Sequence, residues 1–141
     1  MRVLGVDVGE RRVGVAISDR SRTLARPLAT LTVERAGDAV DRVADMIARL
    51  RDEDDGLDMV VVGLPVQLDG SESHATARTV AFIEALRARV PVTILTEDER
   101  LTSREAESRL AVRERDWRKR KEKLDAAAAA IILQDYLDRS A

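Results

Sequence analysis

Val3 to Val8 is an apolar run of strand length, and after the polar Gly9-Glu10-Arg11-Arg12 a second run extends from Val13 to Ser18. Two such runs across a short charged turn predict a β-hairpin. A third strand is predicted from Leu28 to Val33, behind a polar link ending in Pro27, a residue suited to a strand's edge or start. From Asp38 the period changes. Val40, Val43, Met46, Ile47 and Leu50 recur at helical spacing, with Asp41, Arg42, Asp45 and Arg49 on the other face, so an amphipathic helix is predicted. Asp52-Glu53-Asp54-Asp55-Gly56 closes it. Leu57 to Leu64 is then a near-continuous apolar strand, the pattern of burial on both faces and hence of parallel pairing.

Pro65 ends that strand and Asp69-Gly70 marks a turn. Val80, Ile83, Leu86 and Val90 form a second helical stripe that stops near Pro91, and Val92 to Thr96 is a short strand. Thr102 with Glu105 has the form of a capping box and opens a third predicted helix through about Val112. An alanine-rich helix from roughly Lys121 to Leu137 completes the chain. Three strands, then alternating helices and strands, then helices predict an α/β mixed sheet with helices packed on it, in one domain over residues 1–141. Right-handed crossovers make the strands at Val3, Val60 and Val92 parallel, so their carboxyl ends open on the edge where α/β sheets bind ligands.

Composition narrows the chemistry. A chain of 141 residues buries roughly two-thirds of its unfolded surface, enough for one core. No stretch reaches the ~20 apolar residues that cross a bilayer, and the N-terminus lacks the pattern of a secretory signal, so a cytoplasmic protein with no membrane partner is expected. There is no cysteine and a single histidine, His74, which reads as a surface or capping residue; any metal must be held by oxygen. Net charge is -2, so nucleic acid would have to be gripped through a local basic patch. Residues 113 to 123 supply seven bases against three acids and form the one obvious candidate, with Trp117, Arg118, Lys119, Lys121 and Lys123 placed to hold a backbone and stack on a base. A solvated basic helix end is the alternative.

Asp7 interrupts an apolar strand, which is costly unless the carboxylate is paired, solvated or metal-bound. Glu97-Asp98-Glu99 places three acids where another strand ends, on the same predicted edge. Strand alternation keeps Asp98 and Glu99 from facing one site unless the strand has already ended, so one is a ligand and the other a helper. Asp125 opens the run Ala126 to Ala130 and shares a helix face with Ala128, Ala129 and Ile132. Small residues there would let the helix approach the sheet and carry its carboxylate toward the strand ends. Each acid also has a plainer reading: a turn cap for Asp7, an ion pair with Arg100 for the acidic corner, a helix-dipole partner for Asp125. Carboxylates from three segments on one edge suit Mg2+ or Mn2+, and two such ions about 4 Å apart support phosphodiester hydrolysis without a side-chain nucleophile.

Asp7-Val8-Gly9-Glu10-Arg11-Arg12-Val13-Gly14-Val15-Ala16, Gly63-Leu64-Pro65 with Asp69-Gly70, Asp98-Glu99-Arg100-Leu101-Thr102-Ser103, and Lys123-Leu124-Asp125 with Ala128-Ala129 together resemble the YqgF/RuvX-type family of ribonuclease H-like nucleases, in order and across the chain. The resemblance implies a ribonuclease H-like fold with a five-stranded mixed sheet flanked by helices, a cytoplasmic location and maturation of the 5' end of pre-16S ribosomal RNA, with resolution of Holliday junction DNA as the alternative. It also implies a catalytic, metal-binding acid set of Asp7, Asp125 and Glu99, the last preferred slightly over Asp98. Arg11, where the family more often has Lys, stands with Arg12 and Arg100 as a base for the scissile phosphate; ion pairing with the acids is their other role. The segment from Gly63 to Gly70 is expected to face substrate, with Ser71 and Ser73 capping the next helix.

Two further readings compete. Asp-x-Gly-x-x-x-x-Gly-x-Ala also resembles the phosphate hairpin of the sugar kinase, heat-shock protein and actin superfamily, but 141 residues without a repeat cannot supply its two duplicated domains. A non-catalytic RNA-binding or ribosome-assembly factor is the third. Partner expectations are structured RNA or branched DNA; a homodimer stays open, since a junction requires two cuts.

Overall fold

A computed structural model of the chain describes residues 1–65, 74–98 and 117–140, with the backbone alone described at residue 36 and at 117–124. Strands β1 (Arg2–Val8), β2 (Arg12–Ser18) and β3 (Ala25–Thr32) lead into helix α1 (Ala36–Asp52), strand β4 (Leu57–Leu64), helix α2 (His74–Arg87), strand β5 (Thr93–Asp98) and helix α3 (Trp117–Ser140). The five strands form one sheet in the order β3-β2-β1-β4-β5. β1 is antiparallel to β2, and β2 to β3, while β4 runs parallel to both β1 and β5. The predicted hairpin and the parallel trio are therefore both present. The capping box at Thr102 and its helix, the acidic residue Glu99, and the turn at Asp69-Gly70 with Ser71 and Ser73 lie outside the described residues.

Period-2 alternation divides the sheet's side chains between two cores. Leu4, Val6 and Val8 of β1 and Val13, Val15 and Ile17 of β2 pack with Val43, Ile47 and Leu50 of α1 and with Ile83 and Leu86 of α2. Val3, Ala16 and Val61 pack on the opposite face against Ala129, Ile132, Leu133 and Leu137 of α3. Three layers result, helices on each side of a sheet whose central strands are dry on both faces, the arrangement that the unbroken apolar run of β4 requires.

Two sequence expectations need correction. Val80, placed on the buried stripe of α2, is 39 % exposed, while Thr76, Thr79, Phe82, Ile83 and Leu86 face inward. Helix α2 turns its threonine edge to the sheet because a helix at the margin is oriented by the groove it fills, and a single valine is cheap to expose. Strand β3 begins at Ala25, not Leu28, and contains Pro27. It is an edge strand, so the missing N–H is tolerated, and the register shifts by one residue opposite Val15 and Ala16.

The N-terminal edge is tied by arginines. Arg2 is buried and donates from Nε to the Gly56 carbonyl at 3.0 Å and from Nη2 to the Leu50 carbonyl at 3.2 Å and Glu53 Oε1 at 3.0 Å. It thereby ties the last turn of α1, where the Leu50 carbonyl also accepts the Glu53 N–H at 3.3 Å, to the Gly56 turn that leads into β4.

Candidate active site

The face of the sheet under α3 carries small residues where the helix crosses it. A Cβ added to Gly5 would meet Leu133 Cβ at 2.8 Å and the Ala129 carbonyl oxygen at 3.0 Å, and one added to Gly14 would meet the Asp125 carbonyl oxygen at 1.9 Å. Glycine at both positions lets the helix backbone rest directly on the strands, and Ala126, Ala128 and Ala129, all buried, keep the helix side equally thin. The close approach expected of the alanine tract is thus realised, but part of it comes from Gly5 and from Gly14, a motif glycine with no packing role expected of it. Their signal was available: Gly5 lies between the buried Leu4 and Val6, and Gly14 between the buried Val13 and Val15.

This packing sets the acids. Asp7 is the register partner of Gly14. Directly opposed residues of an antiparallel pair point to the same face with Cβ positions about 5 Å apart. The missing side chain of Gly14 is replaced by the backbone of Asp125, so Asp7 stands beside the turn of α3 that carries Asp125, on the same face and at the carboxyl end of β1. The backbones of two acids separated by more than a hundred residues are therefore brought to the same edge of the sheet. Both are partly exposed, open to solvent at the sheet edge.

Arg12, the first residue of β2, reaches this point. Its Nε donates to Asp125 Oδ2 at 2.5 Å, and the two side chains are 27 % and 26 % exposed. Arg12 is in place by its backbone, which pairs with Thr32 and accepts a 2.9 Å hydrogen bond from the Gly9 N–H. Arg11 is exposed, and its carbonyl accepts the Val33 N–H at 2.8 Å.

The second acidic corner stands one strand further away. Val6 pairs with Val62 and Val62 with Thr96, so β4 separates Asp7 from the end of β5 by two strand spacings, roughly 9–10 Å between backbones. Asp98 closes β5, is exposed, and by alternation leaves the sheet on the face of Ile94, which packs toward α1 and α2. Glu97 takes the α3 face, is 5 % exposed and is ion-paired with Arg139 near the end of α3. Of Glu97 and Asp98, the first is the inward one, which the alternation of β5 could have revealed. Glu99 and Arg100 lie outside the described residues, as do the side chains of Trp117, Arg118, Lys119, Lys121 and Lys123. The backbone of 117–124 continues α3 for about 12 Å N-terminal to Asp125, past the carboxyl edge of the sheet. His74 is the exposed first residue of α2, and Phe82 is core.

Among the described residues no three acids or histidines lie close enough together to hold an ion. Two carboxylates with no nitrogen or sulfur donor nevertheless fit Mg2+ or Mn2+. Such ions commonly take one or two protein carboxylates and complete their shell with water and substrate phosphate. The guanidinium on Asp125 shows that the site already accepts a positive charge there.

The sequence profile of RuvX, described as Holliday junction resolvase, matches residues 1–139. The chain belongs to the RuvX family. It is 43 % identical over 141 residues to a relative from Anaeromyxobacter dehalogenans, covering 100 % of this chain and 99 % of that one, and 42 % identical over 136 residues to one from Chloroflexus aggregans, covering 96 % and 92 %. Each of those proteins bears the name "Putative pre-16S rRNA nuclease". RuvX members are thus nucleases by name, hydrolases of phosphodiester bonds. The fold is also that of a Fowlpox virus resolvase solved with Holliday junction DNA (TM-score 0.61, 13 % identity, 99 % of each chain) and of Thermus thermophilus RuvC with a Holliday junction substrate (TM-score 0.51, 18 % identity, 99 % of this chain and 95 % of that one). These likenesses place the RuvX chain in the ribonuclease H-like fold. No described helix is long and apolar enough to cross a membrane.

Proposed function

We propose that this RuvX chain is a divalent-ion-dependent nuclease that processes the 5' end of pre-16S ribosomal RNA in the cytoplasm. The observation that supports this most is the seating of the Asp125 backbone of α3 on Gly14, the register partner of Asp7, at the carboxyl edge of the sheet. Asp7, Asp125 and Glu99 form the proposed ligand set for Mg2+ or Mn2+. When bound, such ions activate the attacking water and stabilise the leaving oxygen.

The chain's own residues do the rest. β1 is packed on both faces, so the Asp7 backbone has little freedom to move, and α3 holds Asp125 by contact of backbone on backbone. Rigid placement of charge before the substrate arrives is what lets a site favour the transition state without reorganising. Arg11, Arg12 and Arg100 are the proposed phosphate contacts. The first turns of α3, with Trp117, Arg118, Lys119, Lys121 and Lys123, are proposed to lie along the nucleic-acid backbone beyond the edge. The names of the relatives over nearly their whole length favour RNA as substrate.

Junction cleavage is the second reading, favoured by the description of the family profile. It requires two active sites on one branched substrate and therefore a symmetric pair of protomers. Cleavage of a pre-16S 5' leader RNA and of a four-way DNA junction, each with Mg2+ or Mn2+, decides between them. Asp7→Asn and Asp125→Asn should each lower cutting by at least about 100-fold while leaving folding intact. Equal cutting by the variants removes the catalytic reading and leaves a non-catalytic RNA-binding assembly factor.

A further inference from the structure

We propose that Arg12 is a built-in competitor for the divalent ion: without the ion its guanidinium occupies the place beside Asp125 that a cation takes, and ion binding displaces it. The inference rests on the ion-site reading above. It starts from one contact. Arg12 Nε lies 2.5 Å from Asp125 Oδ2, the distance of a strong charge-assisted hydrogen bond. Both side chains are about three-quarters buried, so water screens the pair less than it would at the surface.

The geometry makes the arginine and a metal ion alternatives. Asp125 has its backbone seated on Gly14, so its carboxylate stays at this edge of the sheet whichever partner it takes. Asp7 stands across the same gap, and the two acids create a concentration of negative charge that something must offset. The offsetting group within hydrogen-bond distance of Asp125 is Arg12, through Nε. An ion arriving between Asp7 and Asp125 carries twice that charge and demands the same oxygen lone pairs. Arg12, whose guanidinium sits at the end of a long flexible stem, is the group that can move. It sits at the first position of β2, at the open edge, so displacement swings its guanidinium toward the side from which a phosphate approaches. Ion loading and exposure of a phosphate-binding cation are then one event. A nucleic acid meets Arg12 released from Asp125 only once the site is loaded.

A purely structural pin has the opposite signature. If Arg12 only held Asp125 in position, its removal would leave the carboxylate misplaced and weaken ion binding. If it competes, its removal tightens binding. Mn2+ titrations followed by the loss of the free-ion paramagnetic resonance signal, on the full-length protein without substrate, separate these. Arg12→Gln should bind Mn2+ about three- to tenfold more tightly than wild type, Arg12→Lys should stay close to wild type, and Asp125→Asn should bind far more weakly. Unchanged or weaker binding by Arg12→Gln overturns the proposal while the ion site stands. Absence of saturable Mn2+ binding by the wild type overturns both. A Mg2+ titration of the wild type supplies a second readout that no variant's folding can spoil. The arginine Nε–H resonance of Arg12 should leave its ion-paired position in step with Mg2+ occupancy, and a resonance that stays fixed through saturation refutes displacement.

Discussion

Gly14→Ala tests the contact that assembles the site. The added Cβ would lie 1.9 Å from the Asp125 carbonyl oxygen, 2.3 Å from its carbon and 3.0 Å from the Ala126 nitrogen, whereas ordinary contact begins near 3.4 Å. The obstacle is backbone on both sides, so no rotamer change relieves it. Helix α3 must retreat by about 1.5 Å at this turn, and gaps of that size forfeit a large part of the dispersion contacts behind it, at Ala126, Ala129 and Ile132. Overpacking of a core typically costs about 1–3 kcal/mol, and an unyielding helix puts this case near 3 kcal/mol. For a chain of this length that lowers Tm by about 10 °C. Displacement of Asp125 by about 1 Å should also cost about 100-fold in cleavage measured well below the new Tm. Thermal unfolding followed by circular dichroism at 222 nm, with Gly37→Ala alongside, is the assay. Gly37 lies in α1 with nothing within 4 Å of an added Cβ, so its alanine variant should be neutral or gain up to about 1 kcal/mol from helix propensity. If Gly14→Ala melts within about 2 °C of wild type and cuts normally, the seating of α3 on β2 is wrong, and with it the meeting of Asp7 and Asp125.

Other expectations follow from the same coordinates. Arg2→Met should destabilise the protein by about 1–3 kcal/mol in urea unfolding, because it removes the Arg2 donor from the buried Gly56 carbonyl and one of the two donors of the Leu50 carbonyl. Asp19 carries a pH signature. Its carboxylate accepts the Thr23 N–H at 2.8 Å, the main cause that holds its pKa below 3.8, and the Leu24 N–H at 3.3 Å. A group with a lowered folded-state pKa stabilises fully above its unfolded value and loses that contribution as pH falls through the folded one. Asp19→Ala should therefore melt below wild type at pH 7, and the gap should close as the pH drops below 3.8. A gap that persists unchanged in acid would mean the residue acts through something other than its charge. In the wild type, Mn2+ should raise Tm, and the increment should vanish in Asp7→Asn, as an ion bound only to the folded chain requires.

Local periodicity alone revealed much of this protein. The alternation of Val3 to Val8 and Val13 to Ser18 specifies a hairpin, and the unbroken apolar run of Leu57 to Leu64 specifies a strand buried on both faces, because each signal reports which side of a short element meets water. An acid inside the first of these runs, and another heading an alanine tract, could be singled out as sites for the same reason: charge and small size are conspicuous where bulk and apolarity are the rule. Sequence could not say that Val80 would face solvent or that β3 would begin before its proline. Those outcomes depend on the angle at which a helix settles into a groove and on where a strand's pairing stops, both set by the neighbours that arrive from elsewhere in the chain. Gly14 is the sharpest case. In sequence it is one glycine in a β-strand, a mild defect by propensity. In the folded chain it is the space into which the backbone of Asp125 fits, and only the tertiary structure, by stacking one backbone on another, converts that missing methyl group into the position of a carboxylate.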